Sequence, residues 1–130
     1  MIKNIFLGAL LILALGQLSH FGLPWWILVV IAGLVGGWLT KSVWQAFFAG
    51  FLGGSMLWSI AAFIQDNANN SALSEKVGQL FLGVSSSQLI LLTGLLGGII
   101  GALGAITGKL GKDVFIKPSN RHYMQERRRR

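Results

Sequence analysis

Four apolar stretches separated by short polar interruptions set the pattern of this 130-residue chain. The first is the run 5–15, which has Lys3 ahead of it and is then diluted by Gly16, Gln17, Ser19 and His20. The second follows Pro24 and continues to Leu39, and the third extends from Val43 to Ile64 without a single charge. The last, 89–110, reads LILLTGLLGGIIGALGAITGKL. A bilayer core takes about 20 apolar residues in a helix. The pattern therefore predicts an all-α integral membrane protein, a compact bundle of four transmembrane helices near 2–21, 24–39, 43–64 and 87–110. Residues 1–18 also carry the parts of a cleavable signal peptide, with Ala14-Leu15-Gly16 as a small-x-small site. A retained first helix is the expectation adopted.

Boundary residues support these spans. Pro24 suits the first turn of the second helix, and Ser42 is the expected N-cap of the third. Trp25 and Trp26 would mark one interface, Trp38 and Trp44 the other. The connection 65–87 starts polar, with Gln65, Asp66, Asn67, Asn69, Asn70 and Ser71. Leu73, Val77, Leu80, Phe81 and Val84 then recur at threes and fours, which predicts a short amphipathic surface helix over 73–82 capped by Ser71 or Ser74.

Composition strengthens this class and narrows the function. With 53% hydrophobic and 12% charged residues, the chain is too apolar for an ordinary soluble domain. Four crossings use the length up, leaving one domain at 1–111, a basic tail at 112–130 and no room for a separate catalytic domain. Cysteine is absent, which removes disulfides and thiolate chemistry.

The net charge of +7 is concentrated toward the C-terminal end. Lys3, Lys41, Lys109, Lys112, Lys117, Arg121, Arg127, Arg128, Arg129 and Arg130 all fall on one side of the predicted topology, against Lys76 beside Glu75 on the other. The positive-inside rule then places both termini in the cytoplasm, as in a multi-pass protein of a bacterial inner membrane. Lys112, Lys117, Arg121 and Arg127 to Arg130 are candidate contacts for anionic lipid or an acidic partner, each worth about 1 kcal/mol near a lipid surface. Nucleic-acid binding is disfavoured, since no aromatics interleave with these cations.

A Gly-x-x-Gly-Gly pentad occurs three times, once in each of the second, third and fourth spans: Gly33-Leu34-Val35-Gly36-Gly37, Gly50-Phe51-Leu52-Gly53-Gly54 and Gly94-Leu95-Leu96-Gly97-Gly98. In the last span Gly97, Gly101, Gly104, Gly108 and Gly111 continue along one helix face. Small residues at this spacing let helix backbones approach in lipid, where hydrocarbon supplies no hydrophobic drive between helices. The helix-packing candidates are thus Gly33, Gly36, Gly37, Gly50, Gly53, Gly54, Gly94, Gly97, Gly98, Gly101, Gly104 and Gly108. Glycines that permit helix breaks or line a narrow pathway are the functional alternative.

No ionisable residue lies deep in a predicted span, which weighs against ion-coupled transport. Gln45, Ser55, Ser59, Thr93 and Thr107 are the polar residues there. Ser55 and Ser59 are expected to hydrogen-bond a neighbouring helix or a preceding carbonyl. Together with Thr93 they are also the candidate pore or interhelical polar residues. Over six residues, Gly50 to Ser55, the third span resembles the third helix of small four-helix fluoride channels. The continuation Met56-Leu57-Trp58-Ser59-Ile60-Ala61 departs from that family's Thr-Thr-Phe-Ser-Thr-Phe, and its first-helix arginine motif and second-helix asparagine are missing, so membership is not claimed.

His20, Asp66, Asn67, Asn69, Asn70 and the run Ser85-Ser86-Ser87 gather on the non-cytoplasmic side. They match no catalytic spacing, and turns and helix caps account for them. His20 and His122 fall on opposite sides and cannot share a metal within a protomer. No cofactor motif is present. The leading expectation is a non-enzymatic structural or assembly subunit that packs through its glycine faces in a homo-oligomer or larger membrane complex. The alternative is a small homo-oligomeric channel or passive transporter.

Overall fold

The computed structural model describes residues 2–18, 22 and 24–116, and over them the chain is all-helical with no strand. Its helices are α1 (Ile2–Gly16), α2 (Ile27–Leu39), α3 (Val43–Ala68), α4 (Ala72–Leu80) and α5 (Ser86–Ile116). Two of them, α3 and α5, are long and apolar enough to cross a membrane by length and composition. The apolar α1 and α2 are shorter, at 15 and 13 residues.

Both long helices start on a Ser-x-x-Gln sequence, for the same physical reason. The first amide groups of a helix have no intrahelical acceptor, and a serine oxygen with a glutamine three residues on can satisfy them. Gln45 N–H donates to Ser42 Oγ at 3.3 Å, while Gln45 Oε1 accepts from Lys41 N at 3.0 Å. At α5, Gln88 N–H donates to Ser85 Oγ at 3.4 Å and Ser85 N–H to Gln88 Oε1 at 2.9 Å. Thr40 closes α2 by donating its hydroxyl back to Gly36 O at 2.5 Å. The α2–α3 turn is therefore tight and held by hydrogen bonds from both flanking helices.

Several boundaries differ from the expectation. The first helix ends at Gly16 rather than near 21, and 19–21 lie outside the described residues. Pro24 precedes α2, because Ile27 N–H donates to Pro24 O at 3.0 Å and the chain turns before it becomes helical. The third helix continues through Gln65, Asp66 and Asn67 to Ala68. Polar residues are no obstacle at an exposed helix end, and reversal comes only where Asn70 and Ser71 adopt positive φ of 49° and 58°. Ser71 sits at the N-cap of α4, yet its side chain makes no cap bond, and Ser74 is not the cap either. Both hydroxyls serve Asp66 instead. After α4, Leu82 and Gly83 turn the chain with positive φ, and Gly83 N–H closes on Gly78 O at 2.9 Å. The last helix runs past Leu110 to Ile116, so 112–116 extend α5 instead of opening the tail.

The most extensive interface joins α3 to α5, followed by α2 with α5 and α1 with α3. Facing pairs fix the directions. Gly50 lies against Gly101, Gly54 against Gly97 and Ser59 against Gly94, so α3 and α5 are antiparallel. Gly8 meets Ala49 and Gly16 meets Leu57, which makes α1 and α3 parallel. Gly8 also faces Val35, and Asn4 Nδ2 donates to Leu39 O at 3.4 Å, so α1 and α2 are antiparallel. Lys3 and Lys41 therefore share one end of the bundle with Lys109 and Lys112, while Asp66, α4 and Ser86 occupy the other.

Small residues fill the inside. The buried apolar side chains include Ala9, Ala32, Ala46, Ala49, Ala102 and Ala105 with Val35 and Leu57, and among the described residues only Ile12 and Leu28 are large and fully enclosed. The large residues point out: Phe6, Leu10, Leu34, Trp38, Met56, Phe63, Leu92 and Leu103 are all exposed. A water-soluble domain has the reverse arrangement.

Candidate functional site

Every glycine proposed for packing touches another element of the same chain. On the α3–α5 seam, a Cβ built on Gly50 would overlap Gly101 O and one on Gly101 would overlap Gly50 O. Gly54 and Gly97 repeat the relationship one turn along, where a Cβ on Gly97 would fall 2.7 Å from Gly54 O. On the α2–α5 seam, a Cβ on Gly36 would overlap Ala105 O and one on Gly108 would overlap Gly33 O. Gly37 lies against Gly108 O, Gly104 against Val29 O, and Gly33 in looser contact with Gly104 O. Gly53 faces α1, where its Cβ would sit 2.8 Å from Ile12 Cβ. Gly94 and Gly98 accommodate the hydroxyls of Ser59 and Ser55. By contrast Gly111, on the same stripe, has nothing within 4 Å of its Cβ position.

The polar residues of the spans do not form one surface. Ser55 Oγ is buried with no hydrogen-bond partner, contrary to the expected interhelical or backbone bond. It lies against Gly98, beside the Phe51 ring. Ser59 lies in the same seam against Gly94, whereas Thr93 donates to Leu89 O at 2.9 Å and lines a cavity that neither serine reaches.

One cation of the predicted cytoplasmic side is buried. Lys109 is only 5% exposed, and its Nζ lies 2.6 and 2.7 Å from the two carboxylate oxygens of Asp113, one helical turn on. The ammonium group is enclosed, and the Asp113 carboxylate paired with it is part-exposed. The i, i+4 spacing and the flanking Gly108 were the available signals. Lys112 stands beside an apolar groove of about 370 Å³ between α2 and α5, with Leu34, Trp38 and Ile116. Lys117, Arg121, Arg127, Arg128, Arg129 and Arg130 lie outside the described residues, as do His20 and His122.

A concavity lies at the Asp66 end. It has a volume of about 670 Å³ and is bordered by the start of α2, the second half of α3, α4 and the first turns of α5. Trp25, Leu28, Leu57 and Trp58 form one apolar wall, and Leu73, Val77, Leu89 and Ile90 form another. Polar atoms come from Gln65, Asp66, Asn69, Ser74, Ser86 and Thr93. Asp66 ties the walls together. Its Oδ2 accepts hydroxyls from Ser71 at 2.9 Å and Ser86 at 2.5 Å, and its Oδ1 accepts the hydroxyl of Ser74. One carboxylate thus holds the ends of α3 and α5 to α4. Gly78 completes the corner, since a Cβ there would overlap Val84 O. Of the serine run, only Ser86 reaches Asp66, and the pairing was not legible because it joins residues twenty positions apart. No family model, curated protein or solved structure matches the chain.

Proposed function

We propose that this chain is a non-enzymatic integral membrane protein that acts as a structural or assembly subunit, with α1, α2, α3 and α5 crossing the bilayer and both termini on the cytoplasmic side. The observation that carries the reading is the inverted burial, with glycine and alanine inside and large apolar side chains outside. Such a surface is stable only in hydrocarbon or against other apolar helices. Lys3, Lys41, Lys109 and Lys112 at one end support the orientation, with the basic tail set to meet anionic lipid or an acidic partner there. At about 20 Å, α2 is shorter than a bilayer core of about 30 Å. Trp25 and Trp26 at one end and Trp38 at the other suit a locally thinned bilayer on that flank.

The glycine faces are occupied within the chain, so contacts to a second copy or to other subunits fall to the outward Leu, Phe and Trp faces. The channel reading drew on Ser55, Ser59 and Thr93; the two serines lie against Gly98 and Gly94 in the α3–α5 seam, and Thr93 lines the cavity at the Asp66 end instead. Crosslinking in native membranes with mass spectrometry of the neighbours tests the proposal, with sizing after extraction in mild detergent. A crosslinked assembly larger than one chain is expected. A lone monomer without neighbours overturns it, and solute flux through liposomes containing only this protein would favour the channel.

A further inference from the structure

We infer that the cavity at the Asp66 end is a binding site for a single amphiphile carrying a cationic amine head and an apolar tail. Its volume of about 670 Å³ lies within the range of ligand pockets, and its walls are mostly apolar with a few converging polar groups. Asp66 is the one ionisable side chain on its lining, and among the described residues no cation pairs with it. An ionised carboxylate offers about four acceptor sites. Three are filled by Ser71, Ser74 and Ser86, two of them on Oδ2, so Oδ1 keeps capacity for one further donor. The three hydroxyls fix the carboxylate in place before any ligand arrives. A protonated amine supplies the missing donor and opposite charge, while its tail lies along Leu57, Trp58, Leu89 and Ile90. An anionic head would meet Asp66 with like charge, and a choline head has no N–H to give.

The inference concerns the ligand, and it stands whether or not the chain assembles with partners. The source of the amine is either an ethanolamine phospholipid or a free long-chain amine, and the test separates them. Full-length protein in neutral detergent is presented with equal amounts of phosphatidylethanolamine, phosphatidylcholine and phosphatidylglycerol, and adducts are read by native mass spectrometry. Dodecylamine and dodecyl sulfate are compared in parallel by quenching of tryptophan fluorescence with brominated analogues. The expected result is one amine-headed ligand per chain, bound about tenfold or more weaker by Asp66→Asn, the loss expected for one charge-assisted hydrogen bond. Ala62→Phe, which fills the cavity and leaves Asp66 intact, is expected to abolish binding in protein that retains its helicity and elution volume. Retention of the ethanolamine lipid supports a lipid source, and Asp66-dependent retention of dodecylamine alone supports a free amine. Equal binding of all head groups, or binding unchanged in both variants, overturns the inference.

Discussion

Gly50 and Gly101 each stand where the other would carry a side chain: a Cβ on either one lands on the carbonyl oxygen of its partner. The obstruction is backbone on both sides, so neither helix can yield by rotating a side chain. An added methyl group in a well-packed interior costs about 1–3 kcal/mol, and here the upper part of that range applies. Gly50→Ala, Gly54→Ala and Gly101→Ala are each expected to lower the unfolding midpoint in detergent strongly, and the leucine variants to prevent folding. Gly111→Ala, with open space at its Cβ position, is the control and is expected to be neutral or slightly stabilising. Equal loss at Gly111 and Gly101 would refute the seam as the source of stability.

Ser55 makes the opposite prediction. Its hydroxyl is buried and unpartnered, so the protein bears the desolvation cost without the compensating bond. Ser55→Ala should therefore cause no loss of stability and a gain of about 1 kcal/mol. A clear destabilisation measured by reversible unfolding in mixed micelles would show that the hydroxyl has a partner after all.

The Lys109–Asp113 pair should respond unequally to removal of its two members. Asp113→Ala leaves an ammonium group enclosed, whereas Lys109→Met removes the charge and keeps the apolar stem. The first is expected to destabilise more, though by less than the ~3–5 kcal/mol of a fully buried pair because the Asp113 carboxylate is part-exposed. The order of the two unfolding midpoints is the readout.

The chain has no cysteine, which lets single-cysteine reporters test the orientation directly. Asn67→Cys, on the exposed end of α3, is expected to react with a membrane-impermeant maleimide on intact cells. Lys41→Cys, at the other end, should react only after permeabilisation. The reverse pattern would invert the topology, and labelling of both from one side would remove α3 as a crossing.

Much of the fold was legible because apolar runs and glycine spacing are local signals. Leu39 and Val43 were placed correctly as the ends facing the α2–α3 turn, and the Ser42 cap was recognised from its position. The errors cluster where polarity was taken for loop. Gln65 to Asn67 and Lys112 to Asp113 are helical because an exposed helix end tolerates polar side chains as well as a loop does. The cavity was invisible for another reason. Ser71 or Ser74 was read as the cap of α4, and nothing in the sequence says that their hydroxyls turn back to Asp66 or that Ser86 joins them from the next helix.

The small-inside, large-outside arrangement has a consequence for how such a chain can change. Its outward leucines, isoleucines and phenylalanines can replace one another with little effect on the seams, so most of the sequence is free to drift while the fold stays the same. The glycine positions have no such freedom, because their role is to be empty. What specifies this bundle is therefore a spacing of absences, and two chains could share it while agreeing at few other positions.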